Sequence, residues 1–170
     1  MLMFTILLIR ISDIILSTIL IISLSPIFIL IMILLISIQG PPIFFYSSRI
    51  GKNGKIFSLI KFRTFIKKDN REFISFIGRY LRRLSIDEIP QFINILLGDM
   101  SFVGPRPVPL DVETFFNEKQ LKIRRSVKPG LTGFTQINYN GSKRNWSEKI
   151  LLDIKMIEKF TIYLYFIILI

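Results

Sequence analysis

Residues 14 to 38 read IILSTILIISLSPIFILIMILLISI, 25 consecutive positions without a charge. Wound as a helix at about 1.5 Å per residue, such a run is long enough for a hydrocarbon core roughly 30 Å thick. The sequence therefore predicts a membrane segment. A cleaved leader does not fit, because there is no basic start, the apolar run is too long and no small-residue cleavage site follows. The segment is expected to stay. Ser25-Pro26 interrupts it midway, and a proline inside a helix removes a backbone hydrogen bond and clashes with the preceding turn. Two outcomes stay open: a kinked helix that still spans, with a serine hydroxyl satisfying the freed carbonyl, or a helix-break-helix that enters and leaves on one face.

Outside this stretch the chain changes character. Of 170 residues, 51% are hydrophobic, yet 23 Lys and Arg face 12 Asp and Glu, a net charge of +11. Residues 1–39 hold only Arg10 and Asp13, which leaves 22 basic and 11 acidic residues for 40–170. Two parts are expected: a membrane-associated helical segment, 1–39, and a basic body, 40–170. The apolar content excludes disorder, and nine glycines with no cysteine exclude collagen-like and disulfide-stapled scaffolds. Arg49, Lys52, Lys55, Lys61, Arg63, Lys67 and Lys68 all precede the first acid of the body. That asymmetry places the body on the cytoplasmic face, where anionic membrane lipids would hold it.

The absent residue types narrow the chemistry. Without Cys or His there is no thiolate nucleophile, no imidazole base and no zinc site of the usual nitrogen and sulfur kind. Catalysis is left to carboxylates, hydroxyls, Lys, Arg or a hard cation such as Mg²⁺.

Along the body, residues 43–64 predict a β-hairpin around Gly51-Lys52-Asn53-Gly54, continuing as strand to Phe65. Phe73, Ile74, Ile77, Leu81 and Leu84 fall at helical spacing among arginines, which predicts a basic amphipathic helix from Arg71 to Leu84, lying in a membrane interface or packed on the core. A further helix is expected over 91–97, stopped by Gly98. Gly104 to Pro109 should be a stiff extended loop. Residues 128–133 read as a loop before a short strand over 134–139, and a last helix runs from about Trp146 to Phe160, ahead of the apolar tail 162–170.

Asp87-Glu88 are adjacent acids beside Arg82, Arg83 and Pro90. On a helix they would point about 100° apart and could divide two tasks, nucleophile and metal ligand. Ser85-x-x-Glu88 also matches a capping box. Arg106 stands between prolines, where its guanidinium loses little entropy on meeting a phosphate. Lys61 and Arg63 alternate with Phe62, so both should leave one strand face. A solvated basic face explains them equally.

These segments together resemble one family, the bacterial sugar transferases, which are monotopic phosphoglycosyl transferases. The resemblance rests on Lys61-Phe62-Arg63-Thr64, on Leu84-Ser85-Ile86-Asp87-Glu88-Ile89-Pro90-Gln91, on Gly98-Asp99-Met100-Ser101-Phe102-Val103-Gly104-Pro105-Arg106-Pro107 and on Pro129-Gly130-Leu131-Thr132-Gly133, in that order behind the Ser25-Pro26 segment. It covers about residues 10 to 160. It implies an α+β monotopic membrane protein with a re-entrant membrane helix broken at Ser25 and Pro26, a β-hairpin and interfacial amphipathic helices. It implies transfer of a phosphosugar from a UDP-sugar to polyprenol (undecaprenyl) phosphate at a bacterial cytoplasmic membrane, releasing UMP. Asp87 would be the covalent nucleophile and Glu88 the Mg²⁺ ligand. Lys61, Arg63, Arg82 and Arg106 would bind phosphate, with Asp153 also at the substrate site.

A carboxylate needs no base at neutral pH, which agrees with the missing histidine. Met156 stands where the family commonly has an aromatic, no acid follows Glu158, and 162–170 falls short of the usual C-terminal segment. An inactive or truncated homologue acting as a scaffold is therefore one alternative. A membrane-tethered nucleic-acid binder is another, ranked lower because the aromatics fall on apolar faces and no RNA-binding motif occurs; the expected partners include no nucleic acid. A homodimer is left open, as are the sugar, the acceptor length and the pathway.

Overall fold

The structure, a computed structural model, describes residues 2–68, 71–138 and 146–169. The apolar N-terminus forms two helices, α1 (Leu2–Ser23) and α2 (Ser25–Gln39), separated at Leu24. Pro26 lies in the first turn of α2, where its missing N–H would have no helical acceptor within α2. It does leave the Ile22 carbonyl of α1 without its usual donor, and the Ser25 hydroxyl donates to that oxygen at 2.8 Å. Phe4–Ser23 is long and apolar enough to cross a membrane by length and composition.

The expected hairpin is present as β1 (Phe44–Ile50) and β2 (Ile56–Phe62), antiparallel, with Ile50 opposite Ile56. Its turn is a short 3₁₀ stretch in which Asn53 takes the left-handed conformation that Asn tolerates. The second strand ends at Phe62, and Phe65 opens a new one. Strands β3 (Phe65–Lys68) and β4 (Arg71–Ile74) form a second antiparallel hairpin. This corrects the expected helix from Arg71, which begins only at α3 (Phe76–Arg83), where the Ser75 hydroxyl accepts from the Gly78 N–H. Phe73 and Ile74 suit either period over so few residues, and the strand prevails because they lie opposite Ile66 and Phe65. Leu81 of α3 is buried, while Phe76 and Tyr80 are exposed beside Arg79.

Helix α4 (Gln91–Leu97) ends at Gly98 in the left-handed conformation, as expected. Next come β5 (Ser101–Val103), an extended Gly104–Pro109 segment, a 3₁₀ stretch over Leu110–Phe115 and α5 (Glu118–Arg124). The expected strand over 134–139 is also corrected. The strand is β6 (Gly130–Thr132), parallel to β5, and 134–138 form a helix, α6 (Phe134–Asn138), while Tyr139 lies outside the described residues. The reason is backbone approach. A Cβ on Gly130 would lie 2.0 Å from the Gly104 nitrogen, so glycine lets this segment pair where a bulkier residue could not. Two helices close the chain, α7 (Trp146–Glu158) and α8 (Ile162–Leu169).

Two apolar clusters hold the site between them. One joins Phe57 and Leu59 of β2 to Ile95, Met100, Phe102, Met156 and Tyr165, with Ile9, Leu16 and Leu20 of α1 packed on it. The other joins Phe62 and Leu81 to Ile31 and Leu35 of α2, with Phe28 and Met32 alongside. Both halves of the broken helix thus pack on the body.

Candidate active site

Strand alternation brings the first functional group into place. Phe57, Leu59 and Lys61 share one face of β2, and Arg49 lies opposite Phe57 on β1, so the face that starts in the core ends in a cation. Asn94 of α4 fixes the neighbouring element. Its side chain accepts from the Ile60 N–H at 3.0 Å and donates to the Ser58 carbonyl at 2.8 Å. The segment entering α4 is thereby held against β2.

That segment carries the acids. Ile86–Glu88 form a 3₁₀ turn, preceded by Ser85 at φ 55°. The capping box does not form, because left-handed Ser85 directs no side-chain bond to the turn, and Pro90 sits at the N-cap of α4 rather than inside a helix. Asp87 is buried and Glu88 is half-open. The Lys61 ammonium donates to Glu88 Oε1 at 2.5 Å and lies 4.0 Å from Asp87 Oδ2. Burial pushes the Asp87 carboxyl above the usual carboxylate range, Lys61 and Arg82 pull it back, and Glu88 adds to the rise.

Opposite the acids stands the Gly104–Pro109 loop. Arg106 lines a pocket with Arg49, Lys61, Glu88, Gln91 and Gln136. The loop is fastened from behind: the Arg106 carbonyl accepts from Arg124, Arg124 pairs with Asp153 at 3.3 Å, and the Thr135 hydroxyl donates to Asp153 at 2.5 Å. Two polar atoms in this pocket, Arg49 Nε and Gln136 Oε1, are buried without a partner among the described residues. Burial and the neighbouring Arg106 lower the pKa of Arg49. Crowded cations and the unpaired Arg49 donor are what an anion would relieve, whereas Gln136 Oε1 is an acceptor and calls for a donor.

The structure brings Glu88, Lys61 and Arg106 to one pocket, and Asp87 lies beside it, buried 4.0 Å from Lys61 and not among the pocket lining. Arg82 stands close by, its Nε donating to the Thr64 hydroxyl at 2.7 Å and its charge felt at Asp87. Two expected residues point elsewhere. Arg63 does not share a face with Lys61, because β2 has ended; its guanidinium donates to the carbonyls of Gln39, Gly40 and Pro41 and so caps α2. Asp153 is buried on Arg124 and Thr135, behind the loop and not among the pocket lining. Arg49, Gln91 and Gln136 were not expected at the site. For Arg49 the signal existed, since the hairpin register puts it on the face of Lys61.

The donors suit a magnesium ion carried by a diphosphate. Among the described residues no three acids, histidines or cysteines cluster as a cage, and magnesium is commonly held by one or two carboxylates completed by substrate phosphates and water. Glu88, half-open on the pocket wall, is the carboxylate that could serve in this way.

Comparison with known proteins shows what the whole chain resembles. Residues 4–170 match the family model described as bacterial sugar transferase. The uncharacterised sugar transferase EpsL of Bacillus subtilis (strain 168) is 41% identical over 133 residues, covering 74% of this chain and 65% of its own length. Exopolysaccharide production protein ExoY of Rhizobium meliloti (strain 1021) is 31% identical, covering 91% of this chain and 78% of its own. The UDP-glucose:undecaprenyl-phosphate glucose-1-phosphate transferase of Escherichia coli (strain K12) is 36% identical over 76% of this chain. The chain spans only 30% of that relative's length.

Proposed function

The chain belongs to the bacterial sugar transferase family, and on that premise we propose that it moves a sugar phosphate from a UDP-sugar to undecaprenyl phosphate in a bacterial cytoplasmic membrane. The observation that carries this reading is the pairing of a buried carboxylate with a half-open one, bridged by Lys61, the half-open one sharing its pocket with Arg106 and Arg49. One group attacks while cations hold the phosphates.

In the first step an Asp87 carboxylate oxygen forms a bond to the phosphorus bearing the sugar, and the bond from that phosphorus to the bridging oxygen breaks. UMP leaves with the electron pair. In the second, a phosphate oxygen of the lipid attacks the same phosphorus, and the bond to Asp87 breaks, restoring the carboxylate. Lys61, Arg82, Arg106 and Arg49 hold negative charge on the phosphoryl oxygens, where fixed cations outperform water. Magnesium bound with the diphosphate would make UMP a better leaving group, with Glu88 as its protein ligand. Protein mixed with labelled UDP-sugar and no lipid should release about one UMP per active site and retain the sugar label. A wild-type protein that turns over with lipid yet never carries label would exclude the covalent route.

The helical pair is re-entrant in this reading, its two ends on the cytoplasmic side. Support comes from the break at Leu24 and from the packing of both halves on the same body. In the Cys-free chain, Met3→Cys and Ser48→Cys should react with an impermeant maleimide from the same side of inverted vesicles. Reaction from opposite sides would make α1 and α2 a single crossing.

A further inference from the structure

A cavity of about 330 Å³ opens beside α1 and shares no lining residue with the active-site pocket. Its walls are mostly apolar, Ile6, Ile9 and Phe160 among them, and three cations surround it: Arg10, Lys52 and Lys128. One acid also lines it, Asp13, whose Oδ1 already accepts from the Ser101 hydroxyl, the Phe102 N–H and the Tyr165 hydroxyl. Arg10 uses donors on the carbonyls of Ile95 and Leu96, and a guanidinium has five, so others remain for an anion. Among the described residues, Lys52 and Lys128 make no ion pair. Burial and Arg10 lower the Lys128 pKa, Lys52 adds to this, and Asp13 and Asp99 oppose it.

We propose that this cavity seats one anionic phospholipid, its phosphate among Arg10, Lys52 and Lys128 and its acyl chain leaving over Ile6, Ile9 and Phe160. The volume equals about ten waters, room for a phosphate and the first methylenes but not for a whole lipid. The rest of the chain has a path along α1, where Phe4, Ile6 and Leu7 are exposed. A free phosphate would leave the apolar wall wet, whereas an amphiphile satisfies wall and cations together. The inference rests on the membrane placement proposed above and adds to it a specific lipid seat away from the reacting groups.

The test uses the full chain in neutral detergent, its melting followed with added phosphatidylglycerol, phosphatidylcholine, undecaprenyl phosphate or inorganic phosphate. Saturating phosphatidylglycerol should raise Tm by about 5 °C, with phosphatidylcholine and inorganic phosphate giving far less. Lys52→Gln with Lys128→Gln should lose most of that rise, and Asp87→Asn should keep it. Three results would overturn the proposal: an unchanged response in the double variant, an equal response to inorganic phosphate, or a response to undecaprenyl phosphate alone. Flotation with neutral vesicles separates the failures, since protein that floats yet ignores phosphatidylglycerol refutes the seat and leaves the membrane reading standing.

Discussion

Asp87→Asn will remain folded, release no burst of UMP, and lose turnover by at least about three orders of magnitude. An amide cannot form the phosphoryl bond, and with no cysteine or histidine in the chain no stronger nucleophile stands in reserve. The same variant should be more stable than wild type at neutral pH. Burial raises the Asp87 pKa in the folded protein, with Glu88 adding to the rise while Lys61, Arg82 and a backbone hydrogen bond oppose it. As pH rises through the interval between the ordinary carboxylate value and this higher one, the unfolded chain gives up its proton first. Folding stability therefore falls across that window, and ionised Asp87 destabilises the fold above it. Asparagine never ionises and escapes the loss. Melting curves of both proteins between about pH 4 and 8 should show the gap opening in favour of the variant as pH rises. A gap that opens the other way would mean Asp87 is held as a stabilising ion pair rather than a poised nucleophile.

The second large effect lies far from the reaction. Asp13→Ala should cost on the order of 3–5 kcal/mol in denaturant unfolding, because three donors lose their acceptor inside the protein and each unsatisfied group costs about 1–3 kcal/mol. The donors are the Ser101 hydroxyl and Phe102 N–H, both at 3.0 Å, and the Tyr165 hydroxyl at 2.8 Å. Asp13→Asn keeps an acceptor oxygen and should lose less. Tyr165→Phe removes one donor with its acceptor still engaged and should cost about 1 kcal/mol. An alanine variant within about 1 kcal/mol of wild type would show that water replaces the carboxylate and that α1 is not anchored there.

Much of this was legible in the order of residues. Asn53-Gly54 between aromatic and β-branched flanks announced the first hairpin, Gly98 the end of α4, Ser25-Pro26 the helix break, and the prolines around Arg106 an extended loop. What was hidden was the partner of each side chain. Arg63 seemed to belong with Lys61 because alternation was carried one residue past the end of β2, and only the tertiary position of α2 shows its guanidinium on the carbonyls of Gln39–Pro41. Asp153 sits behind the Arg106 loop, holding Arg124, which in turn holds the Arg106 carbonyl. Spacing along one helix says nothing about an arginine on another. The 71–74 segment failed for a different reason: four residues satisfy both periods, and the choice was made by β3.

The bond from Tyr165 to Asp13 joins positions 152 residues apart. A ribosome adding about 5–20 residues per second makes the first partner on the order of ten to thirty seconds before the last. Through that interval the nascent apolar helix carries a carboxylate that lacks its final donor, and an unsatisfied acid is poorly tolerated in hydrocarbon. In the membrane reading proposed above, the N-terminal helix would therefore wait near the water boundary until the C-terminal helix arrives. On that reading, surface residence would be set during synthesis, before any substrate is met.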